Sequence, residues 1–407
     1  TIFKYRFSAF YYGQKMVTFA HMADCHLGCW RQPELQKINF ESFRKIVDIC
    51  IETKVDFILI AGDLFDSAYP SIEILKETFQ EFKKIHDNNI PVYLIAGSHD
   101  FSTSGKTFLD VLEKAGFCKN VEKFTTDESG RINLEPTYHE DIAIFGYPGK
   151  KSGMEIEDLK KVHFEKLNAF TIFMLHTTIK DVVGTIPMDS IEKEKLPLAD
   201  YYAFGHIHKY YNETLNDSRF VYPTPTFPAN FQELIDLKCG SFVLVEIENN
   251  KTNTKRIQIP LKEVSLVIVD IDNGLTATQK IISELDKHNL NDKITLLKLR
   301  GIIQIGKAGD INFKEIEDFV KKKGAYVFLR NMSSLKLESQ DFDAGENDSD
   351  NIEKVEERIF KEFSTVNSKN NFTKYLPTLM NVLSMEKAED EKSAVFEDRL
   401  LSELKDL

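Results

Sequence analysis

The chain has no pair of cysteines spaced C-x-x-C, no long apolar run and no excess of positive charge, and each absence removes a class of protein. Its five cysteines, Cys25, Cys29, Cys50, Cys118 and Cys239, are odd in number and scattered. That excludes a disulfide framework or a zinc ribbon and fits a reducing cytoplasm. No window approaches the roughly 18 consecutive apolar residues of a membrane helix, so no membrane span is expected. Residues 1–15, TIFKYRFSAFYYGQK, are aromatic and basic but lack a continuous apolar core and a small-residue cleavage site. They read as an N-terminal extension outside the fold rather than a secretory signal, with Met16 immediately before the first strand. The net charge of −12 argues against coating nucleic acid by electrostatics alone. It leaves open an enzyme that cuts nucleic acid, because local Lys and Arg patches can hold a backbone while bound cations supply charge at the bond.

What is present is ordinary globular usage, 42% hydrophobic and 29% charged over 407 residues, a length that suggests two or three folded units. From Met16 to about Gly149, short β-branched or aromatic runs alternate with helical patterns. VTFAHMAD, VDFILIAGD and PVYLIAG read as strands, and residues 34–53, 71–88 and 106–115 as helices. In the first helix Phe40, Phe43, Val47 and Cys50 fall on one face. This βαβαβ grammar predicts a layered α/β sheet. DIAIFGYPG, AFTIFMLH, DYYAFGHIH, RFVYP, GSFVLVEIE and RIQIP add strands, with one helix expected over 155–168. The domain 16–260 should therefore be a sandwich of mixed sheets flanked by helices. Residues 264–336 follow as a small α+β capping domain in β-α-β-α-β order. Between Glu338 and Asp350 stand six acidic residues and no basic one, which makes 337–350 a solvated linker. In 351–407, Ile352, Val355, Ile359 and Phe363 recur at helical spacing, as do Phe396, Leu400, Leu401 and Leu404. Such amphipathic helices either pack back on their own chain or dock on a partner.

The chemistry lies where strands end. Asp24-Cys25-His26 closes the first strand, Gly62-Asp63 the second and Gly97-Ser98-His99-Asp100 the third; His176 ends AFTIFML, and Gly205-His206-Ile207-His208 ends YYAF. A lone D-x-H is more often a turn than a metal site. The ordered series, with every member closing an apolar run, is far more specific, because the carboxyl ends of strands in such sheets form the ligand crevice. Imidazole and carboxylate together favour Mn²⁺, Fe²⁺ or Zn²⁺ over Ca²⁺. One Asp can bridge two ions with its two oxygens, and ions about 3.5–4 Å apart can clamp both the attacking and the leaving oxygen of a phosphoryl displacement. Asp63 is the natural bridge.

The series resembles that of the calcineurin-like metallophosphoesterases. Its extended forms HMADCHLG, DFILIAGDLFD, LIAGSHD, FMLH and YYAFGHIHK are similar to the archaeal and eukaryotic double-strand-break repair nucleases and bacterial SbcD, over roughly residues 17–250. The resemblance implies a calcineurin-like sandwich carrying a small cap and C-terminal amphipathic helices. It implies two Mn²⁺ ions, one held by Asp24, His26, Asp63 and His208 and the other by Asp63, Ser98, His176 and His206. His99 would stabilise the transition state or protonate the leaving oxygen. It also implies 3′ to 5′ exonuclease action on duplex DNA ends, endonuclease action on single strands, and a homodimer bound through the C-terminal helices to a coiled-coil ABC-type ATPase. The place of action would be the cytoplasm, at the nucleoid. Three departures stand out. Ser98 replaces the usual Asn, and a hydroxyl is a poorer ligand than an amide carbonyl. Asp66, expected to position the substrate, stands where several archaeal members carry a His that positions the nucleotide and where SbcD-like members have Asp, the mark of a subfamily rather than a loss. YPTPTFPANF lacks the usual Gly-Ser after Tyr-Pro.

Other residues read as scaffold. His21 is expected to be a satisfied histidine of the core or behind the ligands, and Cys25 to be core. Lys321, Lys322 and Lys323 should form a solvated helix end. Trp30 and Arg31 could grip nucleic acid but read more simply as packing. Two further functions share the motifs: a small-molecule phosphodiesterase or phosphatase using the same metals, and a weakly catalytic scaffold that binds DNA ends. The appended cap, linker and helices favour the nuclease.

Overall fold

A computed structural model describes residues 16–101, 107–150, 153–184 and 188–337, and beyond them only Val382, Met385, Phe396, Arg399 and Ser402. The expected N-terminal extension, the acidic linker past residue 337 and nearly all of the C-terminal helical region lie outside the described residues. The chain divides into two units, Thr1–Leu337 and Glu338–Leu407. In the second, the Arg399 guanidinium lies 5.3 Å from the centroid of the Phe396 ring, and Ser402 Oγ donates to the Arg399 carbonyl at 2.9 Å.

The first unit opens with β1 (Val17–Met22), α1 (Pro33–Thr53), β2 (Phe57–Ala61), α2 (Ile72–Asp87), β3 (Val92–Ile95), α3 (Leu109–Lys114) and β4 (Lys119–Asn120). Pro33 starts α1, where its missing N–H costs nothing, and Lys54 ends it in a left-handed conformation. Phe40, Phe43, Val47 and Cys50 are all on its buried face. Ser71 caps α2 by accepting the Ile74 amide. There follow β5 (Phe124–Thr126), β6 (Ile132–Leu134), β7 (Thr137–His139), β8 (Ile142–Tyr147), α4 (Glu155–Leu159), β9 (Val162–His163), β10 (Phe170–His176) and α5 (Lys180–Val183). Then come β11 (Tyr201–Gly205), β12 (Tyr211–Leu215), β13 (Ser218–Tyr222), α6 (Phe231–Asp236), β14 (Gly240–Glu248) and β15 (Lys251–Ile259). The helix expected over 155–168 stops at Leu159, because Val162 pairs with Ile132 in a small sheet instead.

Two six-stranded sheets, β15-β14-β1-β2-β3-β4 and β12-β13-β11-β10-β8-β7, carry the unit. β1, β2 and β3 run parallel, as do β8, β10, β11 and β13. Strand alternation divides the apolar residues cleanly. Phe57, Leu59 and Ala61 of β2 meet Phe170, Ile172 and Met174 of β10 between the sheets, while Ile58 and Ile60 face α1 and α2. On β10 the inward series 170, 172, 174 continues to 176. His176 is thus delivered to the space between the sheets at their carboxyl ends.

The cap comprises β16 (Val264–Asp270), α7 (Gly274–Asp286), β17 (Ile294–Ile303), α8 (Phe313–Lys322) and β18 (Val327–Leu337). All three strands are parallel, as helical crossovers require. One face of this sheet packs on Ile281, Leu285, Ile316 and Val320 of its own helices. The other, with Ile294, Leu296, Val327 and Leu329, shares a core with Leu35 and Ile38 of α1 and with Phe227 and Leu234. Among the described residues no helix is long and apolar enough to cross a membrane.

Candidate metal centre

The loops after β1 and β2 run side by side. The amides of Asp24, His26 and Leu27 donate to the carbonyls of Gly62, Asp63 and Leu64 at 3.0, 3.0 and 2.9 Å. Asp24 (φ 51°), His26 (φ 42°), Asp63 (φ 51°) and His206 (φ 91°) all have positive φ. Asp and His enter that region more readily than most residues. It still costs about 1–3 kcal/mol each, a strain that persists only where the surroundings over-determine it. The glycines allow close approach. A Cβ on Gly62 would lie 2.2 Å from His176 Nδ1, and one on Gly205 would lie 2.0 Å from the Ala61 carbonyl oxygen.

Backbone partners fix which atom each side chain presents. His176 Nδ1 meets the Ala61 carbonyl at 3.0 Å; a carbonyl only accepts, so Nδ1 carries the proton and Nε2 faces inward. Asp63 Oδ1 accepts the His99 amide at 2.8 Å. Its Oδ2 lies 3.2 Å from His176 Nε2 and 3.8 Å from His26 Nε2. With Oδ1 occupied, the bridge expected through two oxygens has one oxygen, Oδ2, facing both imidazoles. Asp24 Oδ1 accepts the His206 amide at 2.9 Å. His208 Nδ1 is 2.9 Å from Glu233 Oε1, and its Nε2 is 3.1 Å from His26 Nε2.

Three buried atoms in this cluster, Asp24 Oδ2, His26 Nδ1 and His176 Nε2, have no hydrogen-bond partner. Each such group costs about 1–3 kcal/mol if nothing binds it. Ligand atoms converge in three groups, Asp24–His26–His208, His26–Asp63–His99 and Asp24–Asp63–His176, each within 4.8 Å. Two donors about 2.1 Å from one ion stand ~3.0 Å apart at an octahedral right angle and ~3.4 Å apart at a tetrahedral angle. The spacing of His26 and His208 falls between these, so the residues fit divalent cations.

Electrostatics agree. Burial alone would lower the pKa of His176, but Asp63 and Asp24 raise it to about 10. Burial would raise Asp63, yet His176 and His26 hold it well below the usual carboxylate range. Burial and the neighbouring His176 charge push His206 down to about 4. In the metal-free protein a proton on His176 balances the carboxylates, and a cation would take that place.

His206 meets His176 edge to face, with ring centroids 5.0 Å apart, but joins none of the three groups. Ser98 is half-buried in the turn that carries His99. His99 is exposed, and its Nδ1 donates to the Asp66 carbonyl at 2.8 Å, leaving Nε2 available. The Asp66 carboxylate lies 3.4 Å from His26 Nδ1. His21 is satisfied by the Tyr201 hydroxyl at 2.9 Å and the Phe204 carbonyl at 3.2 Å, and Cys25 is buried. Trp30 donates its indole N–H to the Pro228 carbonyl at 2.9 Å. Lys321 and Lys322 are exposed, and Lys323 pairs with Asp286.

Two residues were missed by sequence reasoning. Asp100, wholly buried, accepts the amides of Leu64, Phe65 and Gly97 at 3.3, 3.1 and 2.9 Å and so ties the loops after β2 and β3 together. Its pKa is pushed up to about 6 by burial and by Asp63. Its place at the end of G-S-H-D was the available signal. Glu233, the partner of His208, could have been noticed only as the last residue of an Asn-x-x-Glu helix start.

Residues 17–210 match the family model of the calcineurin-like phosphoesterases. The chain is 35% identical over 250 residues to the DNA double-strand break repair protein Mre11 of Methanocaldococcus jannaschii, covering 59% of this chain and 65% of that one. It is 32% identical over 206 residues to the protein of the same name from Archaeoglobus fulgidus, covering 47% and 45%. To the uncharacterized metallophosphoesterase YhaO of Bacillus subtilis it is 28% identical over 248 residues, covering 57% and 58%. The chain thus spans less than two thirds of the length of each of these relatives.

Proposed function

We propose that this chain, whose residues 17–210 match the calcineurin-like phosphoesterases, is a metal-dependent phosphodiesterase that cuts DNA in double-strand-break repair. The observation that carries this reading is the convergence of buried ligand atoms from four strand ends: His176 Nε2 and His26 Nε2 lie 3.2 and 3.8 Å from Asp63 Oδ2, and Asp24 Oδ2 and His176 Nε2 have no hydrogen-bond partner. Two Mn²⁺ ions are the proposed occupants. Asp24, His26, Asp63 and His208 would hold one, and Asp63, Ser98, His176 and His206 the other, with Ser98 ligating directly or through a water. When bound, such ions polarise the phosphate and lower the pKa of water.

The chain's own residues do the rest. The Asp66 carbonyl holds His99 with Nε2 turned away from its anchor, so that a protonated His99 can give Nε2–H to a leaving oxygen. Asp100 keeps the loops of Asp63 and His99 in register. The burial of Asp24, Asp63 and His176 excludes bulk water from the ligand side. The likeness to the repair proteins supports 3′ to 5′ exonuclease action on duplex ends, endonuclease action on single strands, a homodimer, and docking of residues 351–407 on a coiled-coil ABC-type ATPase. Five free, buried cysteines suit a reducing cytoplasm.

The test is incubation with Mn²⁺ and end-labelled duplex DNA, in parallel with a chromogenic phosphodiester. His99→Ala should lower DNA cleavage about 10²–10⁴-fold while Mn²⁺ binding is retained. Loss of an ion in that variant would make His99 a ligand, as its grouping with His26 and Asp63 permits. Activity confined to the small ester would make the protein a small-molecule phosphodiesterase, and DNA-end binding without cleavage would make it a scaffold.

A further inference from the structure

His208 is the most exposed member of the Asp24–His26–His208 group, with 22% of its side chain accessible. His208 lies in the loop after β11, beyond the end of that strand at Gly205. Its orientation comes from α6, 25 residues further along the chain. We infer that Glu233 is a positioning residue for the metal centre: it fixes His208 as the Nδ1–H tautomer, aiming Nε2 at the ion shared with Asp24 and His26. The inference rests on the proposed function, since it concerns how one of those ions is held.

The Glu233 carboxylate is built into place. Oε1 accepts from His208 Nδ1 at 2.9 Å and from the Asn230 side-chain amide, and Oε2 accepts from the Ala229 amide at 2.8 Å. The Asn230 side chain in turn accepts the Glu233 amide at 3.0 Å, so the two residues cap α6 reciprocally. The helix has only six residues and would not stand alone. Leu234, wholly buried, anchors it against Leu35 and Ile38 of α1 and against Ile294, Leu296, Val327 and Leu329 of the cap sheet. Trp30 fastens the preceding turn through the Pro228 carbonyl. A carboxylate locked this way holds the imidazole at one rotation and raises its basicity as a ligand. The hydrogen bond cannot form in the other tautomer, because a carboxylate only accepts.

Mn²⁺ titration of the full chain, followed by the electron paramagnetic resonance of free Mn²⁺, tests this without an activity assay. Glu233→Ala should weaken one of the two ions about 10–100-fold. Glu233→Gln keeps an oxygen for the Nδ1 proton and should recover most of that loss, a rescue that a purely structural role for the charge would not give. His208→Ala is the control. Should His208→Ala lose the ion while Glu233→Ala binds it within twofold of the parent, the positioning role is refuted and the metal assignment stands. Unchanged binding in His208→Ala overturns both. Circular dichroism confirms folding, and if Glu233→Ala does not fold, Glu233→Gln decides: with its acceptor oxygen retained, a loss above tenfold counts against the role assigned to the hydrogen bond.

Discussion

Replacing Asp63 by Asn should separate the stability of the metal-free protein from its response to metal. The His99 amide donates to Oδ1 at 2.8 Å, which pins the new side-chain oxygen there and sends the NH₂ group to the place of Oδ2. That position is 3.2 Å from His176 Nε2, now an unpartnered buried atom. Once the carboxylate is gone, His176 loses the larger of the two carboxylate contributions that raise its pKa, Asp24 supplying the smaller, and burial then favours the neutral ring. Its Nε2 lone pair then accepts from the amide, which avoids the cost of about 1–3 kcal/mol for a buried acceptor left unpaired. Against this stands the lost attraction between the carboxylate and the imidazolium. The two are of similar size, so Asp63→Asn should melt close to the parent in chelator.

With Mn²⁺ the order changes. A ligand at a hundred times its Kd stabilises the parent by about 2.7 kcal/mol, or roughly 5–10 °C at ~2–4 °C per kcal/mol. Asp63→Asn should show little of that rise and should lose cleavage by about 10³-fold or more, since a bridging carboxylate contributes several kcal/mol of charge stabilisation. Differential scanning calorimetry with chelator and with Mn²⁺ measures both. A variant as responsive to Mn²⁺ as the parent would refute the shared-ligand reading. So would a loss above ~3 kcal/mol in chelator, the scale of breaking a buried ion pair, because Oδ2 would then be holding the fold rather than awaiting a cation.

His21 gives the chain an acid-sensitive term. Burial lowers its pKa from 6.5 to about 3, so the unfolded chain binds a proton that the native state does not. Stability from this residue is complete at neutral pH and falls by about 1.4 kcal/mol per pH unit below 6.5. Urea unfolding at successive pH values between about 6.5 and 3 should give a slope about 1.4 kcal/mol per pH unit steeper in the parent than in His21→Gln; equal slopes would refute it. Ser98→Asn, which restores a longer carbonyl ligand, should tighten the weaker Mn²⁺ site about tenfold, equivalent to ~1.4 kcal/mol. Unchanged or weaker binding would place Ser98 outside the coordination sphere.

How much of this was legible in the sequence depended on whether the governing interaction was local. Alternation and turns marked the strands of both sheets, and the motif series placed Asp24, His26, Asp63, His99, His176, His206 and His208 at the ends that meet. The helix read over 155–168 failed because its second half is claimed by a distant strand, Ile132–Leu134, which no local pattern announces. Nor could spacing reveal that the His99 amide occupies Asp63 Oδ1, or that the Asp66 carbonyl selects the His99 tautomer.

The loop after Tyr222 shows the same limit and connects it to the site. Thr224 stands where the resembled family carries glycine, and it keeps a positive φ of 75° while wholly buried. For a β-branched residue such a φ is a genuine outlier, costing about 1–3 kcal/mol. It is offset in part by the Thr224 Oγ1 bond to Ser241 Oγ at 2.7 Å. The backbone path survives the loss of glycine because Pro225 pairs with Ala23 and the Thr226 carbonyl accepts Ser42 Oγ at 2.5 Å. That path leads directly into Asn230 and Glu233. A substitution that reads as a defect in the motif is therefore one the surrounding contacts override, and the segment still delivers its carboxylate to His208.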